Sequence, residues 1–440
     1  MKLKALVASL TLLAATSAGA QVADLQTVYE LALQNDSELR AAEATYRAAL
    51  ENRPIARAAL LPQISLSASR THNETDVSPD GAPSSDYGYD TDDYRLTLNQ
   101  SVYDYRNWVQ LKQADLGTYA AGATRDAARQ NLIVRVAQAY FDVLAAEDSL
   151  TFAKAEKEAV ARQLEQTQRR FEVGLIAITD VKESQAQYDL TVAQEIAATN
   201  QLDVAREALT VVTGESIDML AKLSAELPLL KPEPANVQEW VDWALTNNLQ
   251  LVATRYSTEV SAEEIKRQRG GHYPTLGLAA SYARTELGDN PQGARDVDDT
   301  QIALQLQIPI FSGGLTTSLT RQAREQFDAA KEQHELVRRN TVRSTRASYL
   351  TVEANVARVQ ALARALESTQ AAAEAAQAGF EVGTRTAVDV LLALREVYRA
   401  QRDYAQARYD YLVETLRLRQ AAGILVVDDL MHINRWLETR

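Results

Sequence analysis

At 440 residues the chain is longer than one compact core usually fills, so a single small domain is excluded. It has no cysteine, which rules out disulfide stapling and a lipid carried on an N-terminal Cys. A net charge of −13 argues against a nucleic-acid partner.

The first element in chain order is a leader. Lys2 and Lys4, the mostly apolar run Ala5 to Ala15, and the small-residue site Ala18-Gly19-Ala20 predict a secretory signal peptide over 1–20. Its removal takes two lysines and leaves a net charge of −15. No later stretch offers about eighteen uninterrupted apolar residues, so no transmembrane helix is expected. Membrane β-strands carry a weaker signal and stay open.

Helical pattern follows over about 22–60, interrupted at Asn35-Asp36-Ser37, which offers N-cap side chains. Ile64, Leu66 and Ala68 then alternate with Ser65 and Ser67, as a strand does. Residues 76–93 carry six Asp and no Lys or Arg, and with their Gly, Pro and Ser they read as a solvated external loop. Tyr94, Leu96, Leu98 and Val102 alternate with Arg95, Thr97, Asn99 and Ser101, with Gln100 interrupting the apolar row.

A very long helix is predicted over about 105–172. Ile133, Val136, Tyr140, Val143 and Leu150 form one heptad-spaced seam, with Glu147 its polar exception. Leu132, Ala139, Ala146 and Ala153 form a second. Two seams suggest neighbours on both sides, as in a ring of helices; one face of an ordinary bundle is the alternative. Val173-Gly174 ends this helix, and helical pattern resumes near Thr179.

The remainder repeats this order. ALQND at 32–36 is answered by ALTNN at 244–248, LPQISLSAS at 61–69 by YPTLGLAAS at 273–281, and FEVGLIAITDV at 171–181 by FEVGTRTAVDV at 380–390. Tyr140 pairs with Tyr349 and Val143 with Val352. The organisation is therefore a first repeat over 21–226, a linker over 227–234 (LPLLKPEP) and a second repeat over 235–440. In the second copy Leu276, Leu278, Ala280 and Tyr282 form one alternating row. Ile302, Leu304, Leu306, Ile308 and Ile310 form another, across a loop at 286–300.

Segments of about ten residues, apolar on one face and polar on the other, suit a membrane barrel with a wet interior. Aromatics near their ends (Tyr94, Tyr103, Tyr105, Trp108, Tyr273 and Phe311) fit interfacial girdles. A soluble half-buried sheet also alternates. Four strands cannot close a barrel, and lipid does not tolerate open edges, so membrane insertion requires several chains to pool strands. The Asp-rich loop lacks EF-hand spacing for calcium. The four histidines show no HExxH spacing, and no phosphate-binding glycine loop exists. Neither catalysis, cofactor nor resident metal is expected.

The residues LLPQISLSAS, the run from AEKEAVARQLEQTQRRFEVGLIAITDV to AQYD, and AGFEVGTRTAVDV with ARYDYL after it resemble the TolC family of outer-membrane channel-tunnels, from about residue 22 to the end. The resemblance implies an α+β membrane protein. Its homotrimer shares one twelve-stranded barrel, four strands per chain, continued by a periplasmic tunnel of twelve helices and a small mixed equatorial domain. It implies an exit duct of a tripartite efflux or type I secretion system, in the outer membrane of a Gram-negative bacterium. A periplasmic adaptor (membrane fusion) protein would open it, together with an inner-membrane pump of RND, ABC or MFS type.

The resemblance also assigns residues. Val173, Gly174 and Leu175, with Val382, Gly383 and Thr384, match the tips where the adaptor docks. Asp180 and Arg385 match entrance-gate residues whose links hold the duct closed. Phe380 stands where the best-known member has a gate Tyr, and a phenyl ring lacks the hydroxyl's hydrogen bond. Asp389 matches a carboxylate ring at the constriction. A second Asp one turn further is replaced by Leu392, which predicts a weaker cation trap. Apart from the family, Asp180 and Asp389 read as acids favouring a helix N-terminus. The rival from another class is a soluble periplasmic helical scaffold or adaptor.

Overall fold

The computed structural model describes residues 22–77, 80, 85–290 and 293–438, and the expected signal peptide lies outside them. Three short helices come first: α1 (Leu25–Asn35), α2 (Ser37–Leu50) and α3 (Asn52–Ala58). Strands β1 (Gln63–Val77) and β2 (Ser85–Tyr103) lead into α4 (Tyr105–Glu172), which turns back as α5 (Ile178–Thr213). After the short β3 (Lys222–Leu223) the plan repeats with α6 (Val237–Asn247), α7 (Leu249–Arg269), β4 (Thr275–Leu287) and β5 (Arg295–Gln307). Then come α8 (Leu315–Glu381) and α9 (Ala387–Ala421), and the chain finishes with α10 (Val427–Asn434) and β6 (Leu437–Glu438). At 1.5 Å per residue α4 and α8 each run about 100 Å.

The predicted break at Asp36 is a helix junction. Asp36 accepts a hydrogen bond from the Leu39 amide at 2.7 Å, and the answering Asn248 caps α7 through the Leu251 amide at 3.1 Å. Asp36 is only 3% exposed and takes both Arg135 Nη atoms, at 2.8 and 2.9 Å, so the junction is riveted to α4. Burial alone would push its pKa up, but Arg135 and the Leu39 amide outweigh it and hold the carboxyl below its ordinary value. Asp36→Ala should therefore cost about 2–4 kcal/mol, because it strips a cap and leaves Arg135 without its buried partner. A carboxyl with a lowered folded-state pKa contributes stability above its unfolded value, lost as pH falls through the folded one. The melting-temperature gap between wild type and Asp36→Ala should thus shrink once pH drops below the usual carboxylate range. A gap that stays constant would remove the ion pair from the explanation.

Both seams of α4 are used. Leu132, Ala139, Ala146 and Ala153 are buried together with Ile133, Val136, Tyr140 and Val143, as α4 packs against α5, α7 and α9. Glu147, the polar exception, takes Arg206 of α5 at 3.0 Å. The helix thus has neighbours on more than one side, and the reading of a single apolar face is set aside. The main core sits about halfway along α4. There α1, α9 and α10 cover Tyr140, Phe141 and Leu144. Nearby, β3 pairs with β6, Ala23 bridges Leu220, and the Tyr140 hydroxyl donates to the Ala221 carbonyl at 2.7 Å. This small mixed element gathers both chain ends and the middle of the chain around the helices.

The strands form one antiparallel sheet in the order β1-β2-β4-β5, with the two repeats joined through β2 and β4. In register, Ile64, Leu98, Ala280 and Ile302 cross the sheet in one row, and Leu66, Leu96 and Tyr282 in the next. This face is bare: Ile64, Leu66, Ile302, Leu304 and Leu306 are all exposed, Ile302 at 77%. The opposite face carries Ser65, Thr97, Ser281 and Gln301. Gln100 stays in phase with Leu98, opposite Leu278, and its side-chain amide donates to the Leu60 carbonyl at 2.7 Å; β2 bulges only beyond it, between Ser101 and Tyr103.

Two sequence expectations are corrected. Most of 76–93 and much of 286–300 are strand rather than loop: β1 pairs with β2 out to Val77 and Ser85, and β4 with β5 out to Leu287 and Arg295. Some of their Asp side chains make cross-strand ion pairs: Asp92 takes Arg70 at 3.7 Å and Asp296 takes Arg284 at 3.2 Å. Asp90 takes Arg70 and His72, each at 2.7 Å. At the other end β5 stops at Gln307, before Pro309, which has no N–H to give the ladder; Ile308 and Ile310 lie beyond it.

Candidate functional site

The two hairpin tips share a backbone design. Each long helix ends on a glycine with positive φ, +77° at Gly174 and +81° at Gly383, a region that strains any residue with a Cβ. In the first tip the Gly174 amide reaches the Phe171 carbonyl at 2.8 Å and the Leu175 amide reaches the Arg170 carbonyl at 2.9 Å. In the second the Gly383 amide reaches Phe380 at 3.2 Å and the Thr384 amide reaches Gly379 at 2.8 Å. Both are the paired-bond ending that a left-handed glycine permits. Val173, Leu175 and Val382 project from them, largely exposed.

The side chains then diverge. Phe171 is 39% exposed, whereas its counterpart Phe380 is 2% exposed. Phe380 packs with Ala387 and Val390, against Ala376 and Leu394, in a small core that belongs to the second tip. Gly379 stands where the first tip has Arg170. A Cβ there would lie 2.7 Å from the Arg385 Cγ, so only glycine lets the Thr384–Arg385 segment fold so closely onto α8. Arg170 meanwhile crosses to the other hairpin. Its guanidinium lies 4.2 Å from the Phe380 ring centroid, and its Nη1 donates to the Phe380 carbonyl at 3.0 Å.

The two acids that close the motif also differ. Asp389 forms a capping box: its Oδ2 accepts from the Thr386 amide and hydroxyl, both at 2.9 Å, while the Thr386 hydroxyl accepts from the Asp389 amide. The Thr386 amide and hydroxyl, with Arg385 nearby, hold its carboxyl below the ordinary value. Oδ1 takes no hydrogen bond. In the first tip Ala177 replaces Thr386 and offers no side-chain cap, so the Asp180 carboxylate has no hydrogen-bond or ion-pair partner among the described residues. The Arg385 guanidinium, on the exposed face of the second tip, likewise has none. Asp180 and Arg385 thus occupy equivalent ends of the two hairpins, oppositely charged and unspent, and they do not meet within one protomer.

Sequence reading missed Arg170, Gly379 and one further tie, Glu156 with Arg402 at 2.9 Å. Glu156 is 2% exposed and joins α4 to α9 about three-quarters of the way along α4. A charge on a helix face is ordinarily solvated, and only three-dimensional proximity singles this one out. Among the described residues no group of three or more His, Cys, Asp and Glu side chains is placed to hold a metal ion. No described helix is long and apolar enough to cross a membrane.

A sheet with two open edges and a bare apolar face, set on helices about 100 Å long, defines a subunit of an envelope-spanning β-barrel and helical duct. The particular family follows from similarity. Residues 28–215 and 240–424, the two repeats, match the family described as Outer membrane efflux protein. The chain is 38% identical over 418 residues to Outer membrane protein TolC of Vibrio cholerae serotype O1, covering 94% of each. It is 31% identical over 407 residues to the alkaline protease secretion protein AprF of Pseudomonas aeruginosa, covering 91% of this chain and 85% of that one. In structure it is similar to the Campylobacter jejuni CmeC outer membrane channel, with a TM-score of 0.79 at 16% identity, over 94% of this chain and 90% of that one. The chain belongs to the outer membrane efflux protein family, and it is an exit duct of the Gram-negative outer membrane.

Proposed function

We propose that three copies close one twelve-stranded barrel, β5 of each pairing with β1 of the next, and conduct cargo passively from periplasm to exterior. The observation that carries this is the sheet itself: β1 and β5 each present one edge that no described strand pairs, and the face that ought to be covered is apolar and bare. A soluble periplasmic scaffold would have no use for such a face. The helices support the same assembly. Leu190, Val204 and Val211 recur at multiples of seven along α5 and stay exposed, as a seam awaiting a neighbouring copy does.

The gate follows from the unspent charges. In the trimer Asp180 of one copy pairs with Arg385 of the next, a charge-assisted bond repeated around the entrance that must break on opening. Three Asp389 carboxylates then ring the axis inside it. An adaptor docks on the exposed Val173-Gly174-Leu175 and Val382-Gly383-Thr384 tips, and an inner-membrane pump of RND, ABC or MFS type supplies the energy. No catalytic step and no cofactor are required. Similarity to both TolC and a protease secretion protein supports either small-molecule efflux or one-step protein secretion, with the pump selecting the cargo. Extraction tests the membrane reading: the protein should leave membranes only with detergent and form discrete channels in a planar bilayer. Release in buffer alone would favour the scaffold.

A further inference from the structure

The geometry points to Arg170 as a positioning residue that holds the entrance shut from within a single copy, by clasping Phe380 of the other hairpin. The inference rests on the gated-duct reading. Arg170 lies in the last turn of α4 and Phe380 in the last turn of α8, so the contact spans the two hairpins at their mouths. One cation meets two acceptors there: the ring face, 4.2 Å from the guanidinium carbon to the centroid, and the Phe380 carbonyl, 3.0 Å from Nη1. That carbonyl, which also accepts from the Gly383 amide at 3.2 Å, sits at the C-terminal end of α8, where the helix dipole attracts positive charge.

Arg170 has no competing carboxylate. Its neighbour Arg169 is paired with Glu165 on the same helix, whereas Arg170 forms no ion pair among the described residues. The ring it covers is fixed by the second tip's small core, so the clasp bears on the whole end of the α8–α9 hairpin. Swinging that hairpin away from α4–α5 must slide the ring from under the guanidinium and break the carbonyl hydrogen bond together. A tyrosine hydroxyl is therefore not needed at position 380 for the two hairpins to be latched. The face and backbone of the phenylalanine serve instead, on a partner that the repeat does not duplicate, since the position answering Arg170 is Gly379.

The test is planar-bilayer conductance of purified assemblies of wild type, Arg170→Ala, Arg170→Lys, Phe380→Leu and Arg385→Ser, each checked for assembly mass and melting temperature. Arg170→Ala should raise the open-to-closed ratio roughly fivefold without changing the assembly mass. Arg170→Lys should raise it less, since an ammonium keeps the charge and one donor but not the planar stack. Phe380→Leu, which keeps an apolar side chain but loses the ring face, should also raise it. Should Arg170→Ala fail to assemble, Arg170→Lys against wild type decides in the same way. Wild-type conductance in both Arg170 variants, beside an opened Arg385→Ser, overturns the clasp alone. A wild type that forms no channel overturns the duct reading and this proposal with it.

Discussion

Arg385→Ser should raise single-channel conductance several-fold, because the same contact is lost at every junction around the entrance. A hydrogen bond between charged groups contributes about 1.5–3 kcal/mol, and a shift of 1.4 kcal/mol already changes a two-state ratio about tenfold. Among the described residues the Arg385 side chain forms no hydrogen bond or ion pair, so removing it leaves no buried partner stranded, though Asp389 loses a nearby positive charge. Asp180→Asn should act in the same direction. Exchanging the charges, Asp180→Arg with Arg385→Asp, should restore the closed state by rebuilding the pair in reverse. Conductance at wild-type level in both single variants would rule out the link, and failure of the exchange to restore closure would place the partner elsewhere.

Asp389→Asn should abolish most of the block by divalent and trivalent cations applied from the periplasmic side. Three carboxylates around one axis attract a multivalent ion together, and losing all three charges should weaken block on the order of a hundredfold. Asparagine is the informative replacement. Asp389 also caps α9 through Thr386, and an amide oxygen keeps an acceptor there whereas alanine keeps none. Asp389→Ala should lose the block and about 1 kcal/mol of tip stability as well. Leu392, exposed one turn further on, leaves the ring single, so Leu392→Asp should strengthen the block. Equal block in wild type and Asp389→Asn would return Asp389 to its capping role alone.

The long elements were legible because their signals are long. Two heptad seams and a terminal Val-Gly bound α4 as about 105–172, and it runs Tyr105–Glu172. The Asp36 junction was legible from N-cap chemistry. The strand ends were not. Past Tyr94 and Tyr282 neither face of the sheet is apolar, so alternation vanishes, and paired strands such as Arg70–Asp92 and Glu286–Asp296 look like loop composition. Pairing there is held by backbone ladders and ion pairs such as Arg70 with Asp90, whose register no local pattern reveals. The tips misled in the opposite way. FEVG occurs twice, which suggests two equal tips, yet the residue just before it is Arg170 in one copy and Gly379 in the other. Phe380 is buried in its own tip's small core beneath an arginine 210 residues away, while Phe171 stays exposed.

The central claim is that one chain carries too little sheet to shield its own backbone from lipid. Native mass measurement of the purified protein in detergent tests it most directly. The account predicts a discrete assembly of three chains that aggregates when detergent is withdrawn. A single chain, stable and monodisperse in plain buffer, would contradict it.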